Sequence, residues 1–207
     1  MDKKQFSNHL LDRWYFYVLW TIVVLIISIW SISFASKPTK KEKITIFLTA
    51  YSYDKELYEY LNNVKESYLK KVEIINYSPD EEYYNTFYLS YEGITDVMIV
   101  KGEYLDKVNY NEYISFSLEE MEELFGNEYD YLIKNDNYYG IKIHSKNTDK
   151  GLFSNYISYS KMDNENILVD DDYYLLVSKR TVHLGKLNNN ELSGLVDLIR
   201  KMIAYEN

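Results

Sequence analysis

The sequence predicts an α/β domain with a mostly parallel sheet flanked by helices, preceded by one N-terminal transmembrane helix. Three observations lead to this prediction: an uncharged run from Trp14 to Ala35, apolar β-branched runs that alternate with helical patterns from Ile44 onward, and capping residues where those helices begin. The chain has 207 residues with 7 Gly, 2 Pro and no Cys. This composition excludes a collagen-like protein, a disulfide scaffold, a thiolate metal site and a cysteine nucleophile.

The apolar run is the clearest feature of the sequence. Its 22 residues, Trp14 to Ala35, would form a helix about 33 Å long, enough to cross a hydrocarbon core of about 30 Å. A cleaved signal peptide is the alternative, since Lys3 and Lys4 make a basic start and residues 33–35 (Ser-Phe-Ala) resemble a cleavage site. We favour an uncleaved anchor, because the apolar part of a signal peptide has roughly 7 to 15 residues.

The prediction divides the chain into four parts: a cytoplasmic tail (1–13), a transmembrane helix (14–35), a basic tether (36–43) and an extracytoplasmic α/β domain (44–207). Lysines flank both ends of the helix, so counting them does not orient it. Long domains cross the membrane largely regardless of their charge, which favours a single-pass protein of the cell membrane with its domain outside the cytoplasm. From Ile44 onward the chain has 16 Lys and Arg against 29 Asp and Glu. Such an acidic domain repels phosphate backbones, so no nucleic-acid partner is expected.

Strand and helix patterns alternate along this domain. Strands are predicted at residues 44–48, 72–77, 94–100, 138–144 and 173–177. The run at 44–48, which is apolar and contains β-branched residues, is typical of a strand covered on both faces, as in a parallel sheet. Helices are predicted to begin after Asp54, Ser78 and Ser117 and near Asn190, where a polar capping residue precedes an apolar stripe.

Four segments carry a resemblance to a known family. They are ITIFLTAYSYD at 44–54, TDVMIVKGEYLDKV at 95–108, NDNYYGIKIHS at 135–145, and DDYYLLVSKR with the closing amphipathic helix at 171–204. In this order they resemble the first lobe of the type 2 extracytoplasmic solute-binding proteins of ABC transporters. The resemblance implies a lobe-like fold and a role in transport. Only 22 residues separate His144 from Ile167, which leaves no room for a second lobe, so this chain alone cannot close two lobes around a ligand.

Candidate ligand-binding residues follow the carboxyl ends of the first three strands, where open α/β sheets bind their ligands. They are Tyr51, Ser52, Tyr53, Asp80, Glu103 and Tyr104. The tyrosine rings could stack on a sugar or a peptide, while the serine and the acids bond its polar groups. The alternative is that the tyrosines pack at the rim of the domain and the acids form a solvated face.

No catalytic residue, metal site or cofactor is predicted. His144 and His183 belong to no HExxH-type pair, and neither a nucleophile elbow nor a phosphate-binding loop is found. The run Asp170-Asp171-Asp172 offers oxygen ligands for Ca²⁺ or Mg²⁺, but without the spacing of a known loop, so a solvated turn is expected. The sequence therefore does not predict an enzyme.

The sequence leaves two main hypotheses for the function. The first is a membrane-anchored, non-catalytic binding module that contacts a protein partner, a second copy of itself or a transporter component. The alternative is a small-molecule or sugar sensor that uses the strand-end tyrosines. A metal-dependent surface hydrolase is a third possibility.

Overall fold

The structure, a computed structural model, describes residues 13–80, 82, 84–146, 151–189 and 191–204. It divides into two compact units, residues 1–38 and 39–207. The first unit contains helix α1, Trp14–Ala35. In the described part of the chain, α1 is the one helix long and apolar enough to cross a membrane. The hydroxyls of Thr21 and Ser28 donate to main-chain oxygens one turn earlier, so these polar groups are satisfied within the helix.

The second unit begins at Thr39, inside the stretch predicted to be a basic tether. Thr39 and Glu42 form a reciprocal capping box around a single 3₁₀ turn. Glu42 also pairs with Lys70 at 2.7 Å, and the amide of Lys70 donates to the main-chain oxygen of Glu42. The folded domain thus includes the residues just before its first strand.

Ten strands follow. They are β1 (Lys43–Thr49), β2 (Ser52–Tyr53), β3 (Lys71–Tyr77), β4 (Val97–Lys101), β5 (Tyr131–Lys134), β6 (Asn137–His144), β7 (Ile157–Ser158), β8 (Lys161–Met162), β9 (Leu168–Val169) and β10 (Tyr173–Val177). Six of them form the central sheet in the order β3-β1-β4-β10-β6-β5. β2 pairs with β7, and β8 pairs with β9, as two small separate ladders.

The central sheet is mixed, which corrects the prediction of a mostly parallel sheet. β1 pairs in parallel with β3 and β4. β10 enters between β4 and β6 in the opposite direction, and β5 is antiparallel to β6. The α/β class and the flanking helices are confirmed, while strand direction was not readable from apolar runs alone.

In the part of the chain that the structure describes, the sheet is covered by the helices α2 (Lys55–Val64), α3 (Tyr84–Tyr91), α4 (Leu118–Phe125) and α5 (Gly194–Ala204). α2, α4 and α5 pack on one face, where they meet Ile44, Ile46 and Leu48 of β1. α3 packs on the other face against Phe47. Alternate residues of β1 point into two cores, so every residue from Ile44 to Thr49 is buried.

The capping residues explain where two of these helices begin. The side chain of Asp54 accepts the amide of Glu56, and Ser117 forms a capping box with Glu120, both as predicted. After Ser78, whose hydroxyl accepts the amide of Asp80, the structure has a helix from Tyr84. Asn190, near which the last helix was predicted to start, lies outside the described residues, and α5 begins at Gly194.

Candidate functional site

At one edge of the sheet, the ends of several strands that are far apart in the sequence lie side by side. Tyr173, the first residue of β10, lies opposite Lys101 at the end of β4 and His144 at the end of β6. The carboxyl ends of β1 and β3 lie at the same edge, because both strands run parallel to β4. We call this the carboxyl edge.

A cavity of about 440 Å³ lies beside the β2–β7 ladder at this edge. Ser52, Tyr53 and Asp54 line it on one side, and His144 and residues 154–160 line the rest. The amide of Asp54 donates to the main-chain oxygen of Tyr156 at 2.7 Å, which joins the two sides. The volume falls within the range of about 300 to 1,000 Å³ that is usual for small-molecule pockets.

His144 is fixed in the wall of this cavity. Its Nε2 lies 2.9 Å from Oδ1 of Asp170, and both side chains are almost fully buried. Its ring stacks on Tyr159, with 4.7 Å between the ring centroids. Tyr159 in turn donates its hydroxyl to the main-chain oxygen of Leu152 at 2.5 Å. The wall is therefore a rigid set of aromatic and polar groups that could orient a polar ligand.

A second feature adjoins the cavity along both strands of the ladder. Tyr51 directly precedes Ser52, and its amide donates to the main-chain oxygen of Ser158 at 3.1 Å. The ammonium of Lys161 lies 5.3 Å from the Tyr51 ring centroid and forms an ion pair with Asp80. We call Tyr51, Asp80 and Lys161 the Tyr51 cradle. Burial, followed by the negative charge of Asp80, raises the pKa of Tyr51 to about 12.

Glu103 and Tyr104 lie next to this cradle but have partners of their own. Glu103 pairs with Lys101 at 2.7 Å, and its main-chain amide donates to Asp171. The ring of Tyr104 packs against Tyr84, with a centroid distance of 4.7 Å. Burial raises the pKa of the Tyr104 hydroxyl. Tyr104 therefore serves mainly as packing at the rim.

The six predicted site residues thus lie at the same edge without forming one pocket. Ser52 and Tyr53 line the cavity. Tyr51 and Asp80 belong to the cradle. No sequence pattern placed Lys161 or His144 at this edge, because each acquires its place through a contact with a distant residue. Asp80 is 81 positions from Lys161, and Asp170 is 26 positions from His144.

Two buried tyrosine hydroxyls at this edge have no hydrogen-bond partner among the described residues. They belong to Tyr51 and Tyr173. Tyr173 is 0% exposed. Burial raises the pKa of the Tyr173 hydroxyl, and the nearby Tyr51 and Asp171 add to the rise. A buried hydroxyl without a partner is unfavourable, so these two groups do not stabilise the fold.

The acidic run at 170–172 does not converge on a metal. Asp170 binds His144, and Asp172 pairs with Lys142 at 3.0 Å while accepting the amide of Lys146. Asp171 accepts the main-chain amides of Glu103 and Asp172. Over the described ranges, no group of three or more His, Cys, Asp or Glu side chains could hold a metal ion.

Comparison with known proteins gives no match: no family model fits the sequence, and no curated protein or solved structure is significantly similar to it.

Proposed function

We propose that this chain is a membrane-anchored, non-catalytic binding domain that holds a small polar ligand, such as a sugar or a short peptide, in the cavity beside β2 and β7. The cavity is the observation that carries this proposal. It lies at the edge where open α/β sheets bind ligands, and its walls combine serine, tyrosine and histidine side chains. Tyrosine rings supply flat apolar surfaces for a sugar or peptide face, and the serine hydroxyls of the lining supply hydrogen bonds.

The membrane anchor is part of the same proposal. α1 is long enough to span a bilayer, and we place the domain on the outer side of the membrane, as the usual orientation of an N-terminal anchor favours. The resemblance of the domain to one lobe of a type 2 solute-binding protein supports a role in capturing or sensing a solute near a transporter.

Ligand binding is tested by thermal denaturation of the full chain in lipid nanodiscs, against a panel of mono- and disaccharides and di- and tripeptides. A ligand raises the melting temperature in a concentration-dependent way. Ser52→Trp places a large side chain in the cavity at an exposed position of its lining, and Ser90→Trp is a matched control on the exposed face of α3.

The proposal predicts a shift in the wild type and in Ser90→Trp that is lost in Ser52→Trp. If no compound of the panel shifts the wild type, or if Ser52→Trp responds as strongly as the wild type, the cavity is not a binding site.

Contact with a protein partner is the second candidate function. The observation that favours it is an exposed apolar surface on the β8–β9 hairpin, where Met162, Ile167 and Leu168 are 65%, 57% and 49% exposed. We propose a membrane-embedded transporter component as this partner, because anchoring would confine the domain to the membrane surface. A photo-crosslinker in place of Met162 should then capture such a component in native membranes, and the absence of any adduct would remove this candidate.

A further inference from the structure

We infer that the Tyr51 cradle is a binding site for an organic ammonium group. In the structure, the ammonium of the chain's own Lys161 occupies the place of that group. This inference goes beyond the proposed function, because it assigns a ligand class to a second site next to the cavity. An external primary amine would compete with Lys161 for the same ring face and the same carboxylate.

The geometry at Lys161 is that of a bound cation. Its ammonium lies 5.3 Å from the centroid of the Tyr51 ring, within the distance of about 6 Å over which a cation is attracted to an aromatic face. The same ammonium pairs with Asp80, so a ring and a carboxylate hold one charge. The side chains of Lys161 and Asp80 are 38% and 45% exposed, so a solute can reach both.

The charges around the cradle favour a cation there. Asp80, Glu103 and Asp171 all act on Tyr51 as negative charges, whereas Lys161 opposes them. Lys101 neutralises Glu103 at 2.7 Å. Asp171 accepts two main-chain amides, and in the described part of the chain it forms no salt bridge. Removing the Lys161 ammonium therefore leaves an uncompensated negative site beside an aromatic ring.

A second observation points to a ligand at the same place. The hydroxyls of Tyr51 and Tyr173 are both buried and have no hydrogen-bond partner among the described residues. Tyr173 is fully buried. Tyr51 lies close enough to contribute to the raised pKa of the Tyr173 hydroxyl. The Tyr51 hydroxyl is closed off from solvent while Lys161 is in place, so a ligand would reach it and supply its missing partner only after Lys161 has moved away.

The β8–β9 hairpin, which carries Lys161, is suited to move independently of the central sheet. β8 and β9 form a two-stranded ladder of their own, separate from the central sheet. The hairpin is closed locally, by Asp163 accepting the amides of Glu165 and Ile167. Lys161 can therefore leave Asp80 by a movement of this hairpin without the loss of a hydrogen bond in the central sheet.

Chemical rescue of a lysine deletion tests the inference. Lys161→Ala removes the outer three carbons and the ammonium of the side chain, and n-propylammonium supplies the same atoms as a free solute. Binding to the full chain in nanodiscs is measured by calorimetry, with n-propanol as the uncharged analogue. Lys179→Ala is the matched control, because Lys179 is exposed and forms no salt bridge in the described residues. Lys161→Met keeps the apolar stem and provides a second variant.

We expect Lys161→Ala to bind n-propylammonium at least tenfold more tightly than the wild type or Lys179→Ala do, and to bind n-propanol no better than they do. Adding Asp80→Asn should abolish the gain. Equal affinity of Lys161→Ala and the wild type for n-propylammonium would overturn the inference, as would equal gains for the amine and the alcohol. If Lys161→Ala unfolds, Lys161→Met is tested with methylammonium, which supplies the missing charge without the stem, and with methanol as its uncharged analogue. A thermal stability of Lys161→Met that methylammonium raises no more than methanol does would overturn the inference as well. None of these results depends on whether Ser52→Trp blocks the cavity.

Discussion

The hydroxyl of Tyr68 lies 3.1 Å from Nδ1 of His183, and this contact connects the beginning of the folded domain to its last helix. The same hydroxyl accepts the amide of Gly194 at 2.9 Å. On the other side of the ring, Nε2 of His183 lies 3.0 Å from the main-chain oxygen of Lys40 and 3.1 Å from that of Lys43. All contacts are satisfied when Nε2 carries the proton and Nδ1 accepts from Tyr68.

Replacing Tyr68 with Phe breaks this chain of hydrogen bonds. The substitution leaves the amide of Gly194 and Nδ1 of the buried His183 without their partner. We expect a loss of about 1 to 3 kcal/mol in the free energy of unfolding, measured by urea denaturation of the full chain in detergent. Tyr58→Phe is the control, since the Tyr58 hydroxyl has no hydrogen bond in the described residues, and it should change stability by less than about 0.5 kcal/mol. Equal stabilities of the two variants would contradict the role of Tyr68.

Two buried tyrosines at the carboxyl edge, Tyr84 and Tyr173, should differ in how the loss of the hydroxyl changes the free energy of unfolding. The Tyr84 hydroxyl lies 2.6 Å from Oγ1 of Thr49, whereas the Tyr173 hydroxyl has no partner among the described residues. Tyr84→Phe should therefore lower the free energy of unfolding by about 1 to 3 kcal/mol. Tyr173→Phe should leave it unchanged or raise it by up to about 1 kcal/mol, because an unsatisfied buried group is removed. A larger loss from Tyr173→Phe than from Tyr84→Phe would show that its hydroxyl is already bonded.

Glu42 should make the domain sensitive to acid. Its contacts with Lys70 and Thr39 lower the pKa of its carboxyl from the usual 4.5 to about 2. The ionised carboxylate therefore stabilises the fold above pH 4.5, and this contribution is lost as the pH falls toward 2. The melting temperature of Glu42→Gln should fall less steeply than that of the wild type over this interval. Glu119→Gln, at an exposed position of α4 with no salt bridge in the described residues, should keep the wild-type slope. Parallel slopes for Glu42→Gln and the wild type would contradict the prediction.

The strands that the sequence predicted best are those with the strongest local signal. The run at 44–48 became β1, one residue longer at each end, because alternate side chains enter two different cores. The strand predicted at 173–177 has these same bounds in β10. Its direction was not predictable, since the residues that place it between β4 and β6 are at least 29 positions away in the sequence.

The parts that the sequence did not predict depend on distant contacts or on turn geometry. The β5–β6 hairpin turns at Asn135 and Asp136, whose φ angles of 50° and 61° suit a tight two-residue turn. The sequence indicated the candidate edge through Tyr51 and Asp80, but not the cavity wall at 154–160, which carries no periodic pattern and is placed by pairing with β2. Local patterns therefore identified the edge of the sheet where the cavity lies, but they did not identify the residues at 154–160 that form most of its lining.

The absence of cysteine from the chain allows a direct test of orientation. Ser90→Cys introduces one thiol at an exposed position of α3. If the domain lies outside the cytoplasm, a membrane-impermeant maleimide should label this thiol in intact cells. Ser7→Cys, in the tail before α1, should be labelled only after the membrane is permeabilised. The reverse pattern would place the domain on the cytoplasmic side.

Hydrogen–deuterium exchange of the full chain tests the central claim most directly, because it locates a ligand on the sequence. The compound with the largest thermal shift is added, and exchange is compared with the free protein. We predict slower exchange at residues 51–54 and 154–160, where the amides of Tyr51 and Asp54 bond across the β2–β7 ladder. Slower exchange confined to other parts of the domain, with no change in these two segments, would contradict binding in the cavity.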